Sequence, residues 1–209
     1  MIEFGLGTIG IGKPWGFANP EVPDERHAQE LLERAFTLGV RYFDTAPSYG
    51  VSEQRIATFL AGLPTADRAE PYVDHGFGEL RRSLDGSTER LGRIDFLQLH
   101  KTTPAVLRSD DLARAWEYAA SLGIRGAGDR EPRIPGRPTA VQRRAGNVRG
   151  CDRPFGMGRM LYENRELTKA DAFAFILRMK FDGVILSGTK SPDHLEENYR
   201  AFEKAKCQG

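Results

Sequence analysis

An acid and a phenol lie five residues apart in residues 39–50, which read GVRYFDTAPSYG. A short apolar run ends at Asp44, and Tyr49 comes just before a segment with helical spacing. This order places both side chains at the C-terminal end of a buried strand. In (β/α) barrels that end of the strands carries the chemistry. Asp44 and Tyr49 are therefore the first candidates for catalytic residues.

A second candidate site lies near the C-terminus, in residues 184–198, which read VILSGTKSPDHLEEN. A buried strand ends there and a helix begins at Ser191, directly after Lys190. A helix N-terminus offers free N–H groups and a positive dipole to a phosphate, and a lysine adds charge. An ordinary capped helix with a lysine near its start explains the same residues equally well.

Composition narrows the class of protein. The chain has 209 residues, of which 40% are hydrophobic and 28% charged, which is typical of one globular domain. The net charge of +1 gives no reason to expect binding to nucleic acid or to a membrane, and no apolar run is long enough to span one. Two cysteines indicate free thiols rather than a disulfide scaffold. We expect a cytoplasmic protein without a metal site.

Strand and helix signals alternate, which favours an α/β fold with a parallel sheet. The segments with clear signals are strands at 2–10, 40–45, 94–100 and 183–187, and helices beginning near Asp24, Ser52, Ser109, Thr168 and Ser191.

Two irregular segments interrupt this alternation. Residues 63–71 are polar with two prolines, so we expect no strand there and a helix from near Tyr72 to Leu91. Residues 129–152 contain six Arg and three Pro in 24 residues and show no periodicity. The third and sixth strand–helix units are therefore predicted to be missing. A deletion near 63–71 and a frame-shifted or substituted stretch at 129–152 would explain this, a hypothesis that the nucleotide sequence can test.

Residues 39–53 resemble the signature of the aldo-keto reductases, G-x-x-x-F/I-D-T-A-x-x-Y-G-x-S-E. The resemblance implies a single domain over 1–209 with a (β/α)8 TIM-barrel fold, here incomplete, with about six of eight units recognisable. It also implies that NADP(H) is used to reduce aldehydes or ketones. The family's tetrad of Asp, Tyr, Lys and His would include Asp44, the proton donor Tyr49, and His100, which ends FLQLH like the family's L-x-H.

The fourth tetrad member has no counterpart. The family carries its lysine at the end of strand three, where residues 62–72 contain none, and nothing matches Lys101 to that position. Two interpretations stay open: an NADP(H)-dependent reductase, active or impaired, and an inactive remnant that at most binds the cofactor.

The same resemblance implies a cofactor site and a substrate residue. Trp15 would lie near the substrate. The predicted cofactor ligands are Gly7, Thr8, Arg153, Pro154, Phe155, Gly156, Gly188, Lys190, Ser191, His194, Glu197 and Asn198. Among these, Lys190 and Ser191 would bind the 2′-phosphate of NADP, and Glu197 and Asn198 the adenine. A different function, nucleic-acid binding by residues 130–149, is disfavoured because that stretch has no aromatic residue to stack on bases.

Overall fold

The computed structural model describes residues 2–16, 20–64, 70–76, 80–100, 110–124, 127–129, 149–152, 166–178 and 183–207. Strands and helices alternate through these ranges. The strands are β1 (Ile2–Gly7), β2 (Tyr42–Thr45), β3 (Glu70–Gly76), β4 (Phe96–His100), β5 (Ala127–Asp129), β6 (Arg149–Asp152) and β7 (Gly183–Gly188). The helices are α1 (Ile9–Gly12), α2 (Glu25–Thr37), α3 (Ser52–Ala61), α4 (Leu80–Leu91), α5 (Asp110–Ser121), α6 (Lys169–Leu177) and α7 (Pro192–Lys206). None of the helices in the described ranges is both long enough and apolar enough to cross a bilayer.

The seven described strands form one sheet in the order β5-β4-β3-β2-β1-β7-β6, and each pair of neighbouring strands is parallel. The first strand, β1, pairs with β2 on one side and with the last strand, β7, on the other. The sheet therefore follows the strand order of a barrel. Its two ends are β5 and β6, so the described part of the barrel is incomplete, as predicted.

The outer face of the sheet packs against the helices through aromatic side chains. Phe4 of β1 contacts Phe173 of α6 and Phe202 of α7, with ring centroids 6.0 and 5.5 Å apart. Phe43 of β2 contacts Phe59 of α3 at 5.8 Å. These edge and tilted contacts are typical of buried aromatic clusters and fix the helices on the strands.

The inner face is packed around a glycine. A Cβ atom on Gly5 would lie 2.6 Å from Val184 Cγ1 and 2.8 Å from Leu186 Cδ2. Both side chains come from the neighbouring strand β7, which shows that they fill the space in front of Gly5. The absence of a side chain at this position lets β1 and β7 pack together inside the barrel.

Helix starts agree with the sequence signals. The Asp24 side chain accepts a hydrogen bond from the N–H of His27, and Thr168 and Asp171 form a reciprocal capping box. Hydrogen bonds from Thr168 lower the pKa of Asp171. Ser191 caps α7. These short-range interactions satisfy N–H groups that a helix leaves free at its start.

The prediction for the third unit is wrong. Residues 70–76 form β3, which pairs with β2 from Tyr42–Glu70 to Thr45–Val73 and with β4 from Tyr72–Phe96 to Gly76–His100. The helix begins only at Leu80, where Leu80, Leu84 and Leu91 are buried as their spacing predicts. Pairing on both sides stabilises β3, and this non-local contribution leaves no periodic signal in the sequence.

The segment predicted as irregular at 129–152 ends in a strand. Its last four residues form β6, which pairs with β7 from Arg149–Gly183 to Asp152–Leu186. Asp129 is the last residue of β5. Residues 130–148 lie outside the described ranges. β6 is the neighbour of the last strand, β7. The prediction that the sixth strand–helix unit is missing falls on residues 130–148 and stays a prediction.

Candidate active site

Three strands end side by side at the C-terminal end of the sheet. Gly7 of β1 pairs with Asp44 of β2 and with Gly188 of β7. A Cβ atom on Gly7 would be in ordinary contact, 3.7 Å from Gly188 Cα. Asp44 is buried, with 4% of its surface exposed. The predicted acid therefore lies beside two residues that have no side chain to fill the mouth of the barrel.

Buried hydroxyl groups fix the backbone at Asp44. Thr8 donates to the carbonyl oxygen of Asp44 from both its N–H (3.0 Å) and its Oγ1 (2.7 Å). Ser52 Oγ is 2.6 Å from Thr8 Oγ1 and 2.9 Å from Thr45 Oγ1. Thr8, predicted as a cofactor ligand, thus joins the ends of β1 and β2 to the start of α3. The sequence did not indicate a role for Thr45, because its contact with Ser52 depends on how these segments fold together.

Tyr49 is held by close contact between two loops. Its N–H donates to the Ala46 carbonyl oxygen (2.9 Å), and the N–H of Val51 donates to the Gly12 carbonyl oxygen (3.1 Å). A Cβ atom on Gly12 would lie 1.7 Å from the Tyr49 carbonyl oxygen, and Gly50 has a φ of 62°. The loop after β1 and the loop after β2 therefore pack backbone to backbone, and Tyr49 is 8% exposed.

A cation lies over the Tyr49 ring. Lys13, directly after α1, places its Nζ 5.8 Å from the ring centroid. The strand that would carry the family's lysine, β3, reads EPYVDHG and contains none. Lys13 was not a sequence-level candidate, because it is 36 residues from Tyr49 and only the contact of the two loops brings them together.

The remaining predicted catalytic residue ends β4. His100 pairs with Gly76, while Asp44 is level with Tyr72 and Phe96. His100 is thus four residues further along than Asp44, about 13 Å along a strand, at the same end of the sheet. Its side chain lies outside the described part, as do all atoms of the four predicted ligands Arg153, Pro154, Phe155 and Gly156.

Trp15 follows Lys13 in the same loop. Its N–H donates to the Pro20 carbonyl oxygen at 3.1 Å, and the residue is partly exposed. Trp15 follows β1 and lies near the loop that carries Tyr49. Its contact with a substrate stays a prediction.

Lys190 and Ser191 lie together at the start of α7, as predicted. The Lys190 stem packs on Gly10, where a Cβ atom would be 3.1 Å from Cγ, and its Nζ donates to the Glu21 carbonyl oxygen at 2.6 Å. Burial lowers the pKa of Lys190. His27 Nε2 is 2.9 Å from the Lys190 carbonyl oxygen. A cation and a helix N-terminus therefore meet, the combination that binds phosphate.

The other predicted ligands on α7 have protein partners. Glu197 is exposed and accepts a hydrogen bond from Lys169 Nζ at 2.8 Å, which lowers the pKa of Glu197. Asn198 is buried and donates to Ser187 Oγ at 3.1 Å, while its Oδ1 has no hydrogen-bond partner among the described residues. The N–H of His194 donates to Ser191 Oγ. The contacts predicted for these residues with adenine stay predictions.

Two charged side chains of α3 hold neighbouring elements in place. The buried Glu53 accepts hydrogen bonds from Ser87 Oγ (2.6 Å) and Arg90 Nε (2.5 Å) of α4. Arg55 donates to the Ile11 carbonyl oxygen and to Glu25 of α2. The glutamate of the signature therefore joins two helices behind the site. Sequence reasoning assigned neither residue a role.

Parallel strands in barrel order, with an acid and a phenol at their C-terminal end, define a TIM-barrel-type protein. A sequence model of the Aldo/keto reductase family matches residues 3–125. The chain therefore belongs to the aldo-keto reductase family.

Proteins of known function and structure agree with this assignment. D-threo-aldose 1-dehydrogenase of a Pseudomonas species is 31% identical over an alignment of 160 positions that covers 59% of this chain and 46% of that protein. L-galactose dehydrogenase of Arabidopsis thaliana is 32% identical over an alignment of 110 positions that covers 46% of this chain and 33% of that protein. The matches thus span less than half of either relative. An aldo/keto reductase from Klebsiella pneumoniae, solved with NADP and acetate, shares the fold with a TM-score of 0.69 at 18% identity, over 96% of this chain and 85% of that one.

Proposed function

We propose that this chain is an NADP(H)-dependent oxidoreductase that interconverts small aldehydes or ketones and the corresponding alcohols. The observation that carries the proposal is the placement of Asp44 and Tyr49 at the barrel mouth by two interlocked loops. The two curated relatives are named as dehydrogenases of sugars. Small aldoses are therefore the first substrates to test. The cytoplasm is the expected location.

The residues present fit a nicotinamide cofactor. Gly7 and Gly188 leave space at the strand ends, and Lys190 with Ser191 at the start of α7 would bind a phosphate. To do so, Lys190 would exchange the Glu21 carbonyl oxygen for the ligand. The cofactor would supply or accept the hydride.

The chain's own residues would handle the proton and the carbonyl. In reduction, the Tyr49 phenol gives its proton to the carbonyl oxygen as the carbonyl carbon gains hydride; in oxidation, the phenolate takes the proton back from the alcohol. His100 would orient the carbonyl oxygen. Asp44, buried beside the strand ends, would place its negative charge next to the site.

The second candidate function is cofactor binding without turnover. The specific observation in its favour is that β3 contains no lysine. Under this second candidate, no cation lowers the pKa of the phenol effectively, and an unperturbed phenol titrates near 10 and is a poor acid at neutral pH. The loss of a tuned general acid removes about 10²–10⁴-fold of rate. Under this second candidate, turnover would be slow or absent even where NADPH binds.

Two measurements test the proposal. A fluorescence titration with NADPH measures binding. NADPH oxidation with reactive aldehydes, and NADP⁺ or NAD⁺ reduction with D-threo-aldoses and L-galactose, measures turnover, with Tyr49→Phe as the matched control. We expect saturable binding and a slow reaction that Tyr49→Phe abolishes. Binding without any Tyr49-dependent reaction would favour the second candidate, and absence of binding would refute both.

A further inference from the structure

We propose that Lys13 supplies the positive charge beside Tyr49 that the family's lysine on strand three provides elsewhere. The proposal deepens the proposed function and rests on it. Lys13 acts through Tyr49, so it is a positioning residue that stabilises the ionised phenol. The charge reaches the phenol from the loop after β1 instead of from β3.

The strand order explains why Lys13 lies on the opposite side of Tyr49 from β3. In the sheet, β2 lies between β3 and β1, so Tyr49, in the loop after β2, has one neighbouring strand end on each side. The family position is on the β3 side, where the sequence EPYVDHG has no lysine. Lys13 follows β1 and α1 on the opposite side, and its Nζ is 5.8 Å from the centre of the Tyr49 ring.

The backbone holds Lys13 in this place. Its N–H donates to the Ile9 carbonyl oxygen at 3.1 Å, and the preceding residue, Gly12, is locked against the loop of Tyr49. A Cβ atom on Gly50 would lie 2.2 Å from the Gly12 carbonyl oxygen and 3.4 Å from Lys13 Cβ. The Lys13 backbone and the Tyr49 backbone therefore keep a fixed distance, and Lys13 is half-buried.

Among the side chains that the structure describes, the other charged groups on the elements around Tyr49 are already balanced or opposed. Glu53 on α3 is paired with Arg90, and Arg55 on α3 is paired with Glu25. Asp44 on β2 brings a negative charge, which disfavours a phenolate. The Lys13 ammonium, 5.8 Å from the ring centre, favours the phenolate because part of the phenolate charge is delocalised over the ring. Among these groups, Lys13 is the one with its charge over the ring.

The direct test is an alkaline absorbance titration of tyrosine in the protein without cofactor. The variants are Lys13→Met, which keeps the stem and removes the charge, and Lys13→Arg, which keeps the charge. Subtracting the titration of Tyr49→Phe, made in each background, isolates Tyr49 from the other five tyrosines. Circular dichroism at each pH verifies that every variant is folded over the range compared.

We expect the titration midpoint of Tyr49 to rise by about one pH unit in Lys13→Met and to return toward the wild-type value in Lys13→Arg. An unchanged midpoint in folded Lys13→Met would overturn the proposal. This readout needs no turnover, so it separates failure of the Lys13 proposal from failure of the proposed function.

The kinetic readout follows from the same charge. Where the wild type turns over, Lys13→Met should lower kcat about tenfold at neutral pH, because one unit of pKa corresponds to a factor of ten. The pH profile of kcat should move with it, and NADPH affinity should change less than twofold. A loss of NADPH affinity with an unchanged Tyr49 titration would show that Lys13 binds cofactor instead, and would refute the proposal.

Discussion

Lys190 binds a main-chain carbonyl oxygen at the place where a phosphate is expected. Its hydrogen bond to Glu21 at 2.6 Å joins a cation to a neutral acceptor. A phosphate in the same position would add charge on the acceptor side, and hydrogen bonds between two charged groups are stronger than those with one. The burial that lowers the pKa of Lys190 strengthens this preference for an anion.

We predict that Lys190→Ala selectively weakens binding of NADPH. The loss should be about 1–3 kcal/mol, the range for a charge-assisted contact, while NADH affinity changes little because NADH lacks the 2′-phosphate. Fluorescence titrations with both cofactors measure the effect. Lys206→Ala, at the other end of α7, is the matched control. An equal loss for both cofactors would remove Lys190 from the 2′-phosphate site.

The preference for NADPH over NADH should depend on pH, because it relies on the charge of Lys190. Lys190 is charged below its pKa, which lies under the ordinary value of 10.5 because the group is buried. The advantage of NADPH over NADH should therefore be present at neutral pH and decline as the pH rises through that lowered pKa. A preference that stays constant into the range where ordinary lysines lose their proton would contradict this.

The loops after β1 and β2 act as one structural element because two glycines let them touch. We predict that Gly12→Ala destabilises the protein by about 3 kcal/mol or more, since its Cβ would overlap the Tyr49 carbonyl oxygen and the loops would have to separate. Urea unfolding measures the change. Gly62→Ala is the control, because Gly62 has a helical φ of −77° and the new Cβ would meet its nearest neighbour at 3.4 Å. Equal stability of the two variants would refute the role given to this contact.

Helices α3 and α4 are joined by a buried carboxylate. We predict that Arg90→Ala lowers the free energy of unfolding by about 2–4 kcal/mol, because the substitution leaves Glu53 buried without its cation. The loss is smaller than for a fully buried pair because Arg90 is one third exposed. Arg26→Ala, which breaks the exposed pair with Glu30, should cost under about 1 kcal/mol. Chemical denaturation of both variants tests this. Similar losses for the two would show that Glu53 is solvated in its place.

The contrast between α6 and β3 shows which elements could be predicted from the sequence. Helix α6 carries its start signal locally, in the Thr168–Asp171 capping box. β3 is defined by its pairing with β2 and β4, which come from distant parts of the chain. In the site, the motif identified Asp44 and Tyr49, but the hydroxyl cluster of Thr8, Thr45 and Ser52 depends on which loops meet.

At the scale of the whole molecule, the longest ladder of the described sheet joins the first and last strands, β1 and β7. The ladder between β1 and β7 spans six residue pairs, from Ile2–Gly183 to Gly7–Gly188. The pairing of β5 with β4 covers three residues, and that of β6 with β7 covers four. The described sheet is therefore strongest where N- and C-terminal strands meet and weakest at β5 and β6, the ends left by the incomplete barrel.

We predict that amide hydrogen exchange follows this gradient. Amides of β1 and β7 have strand neighbours on both sides and should exchange only by global unfolding, while those of β5 and β6 should exchange by local opening with a smaller free energy. Exchange is measured by mass spectrometry at neutral pH in a series of urea concentrations below the unfolding transition. This series separates global unfolding from local opening, because only global unfolding depends strongly on urea. If β5 and β6 were as protected as β1, they would have to be paired with another strand and the barrel would be closed in solution. Rapid exchange in β1 would instead mean that its pairing with β7 does not hold the two ends of the chain together.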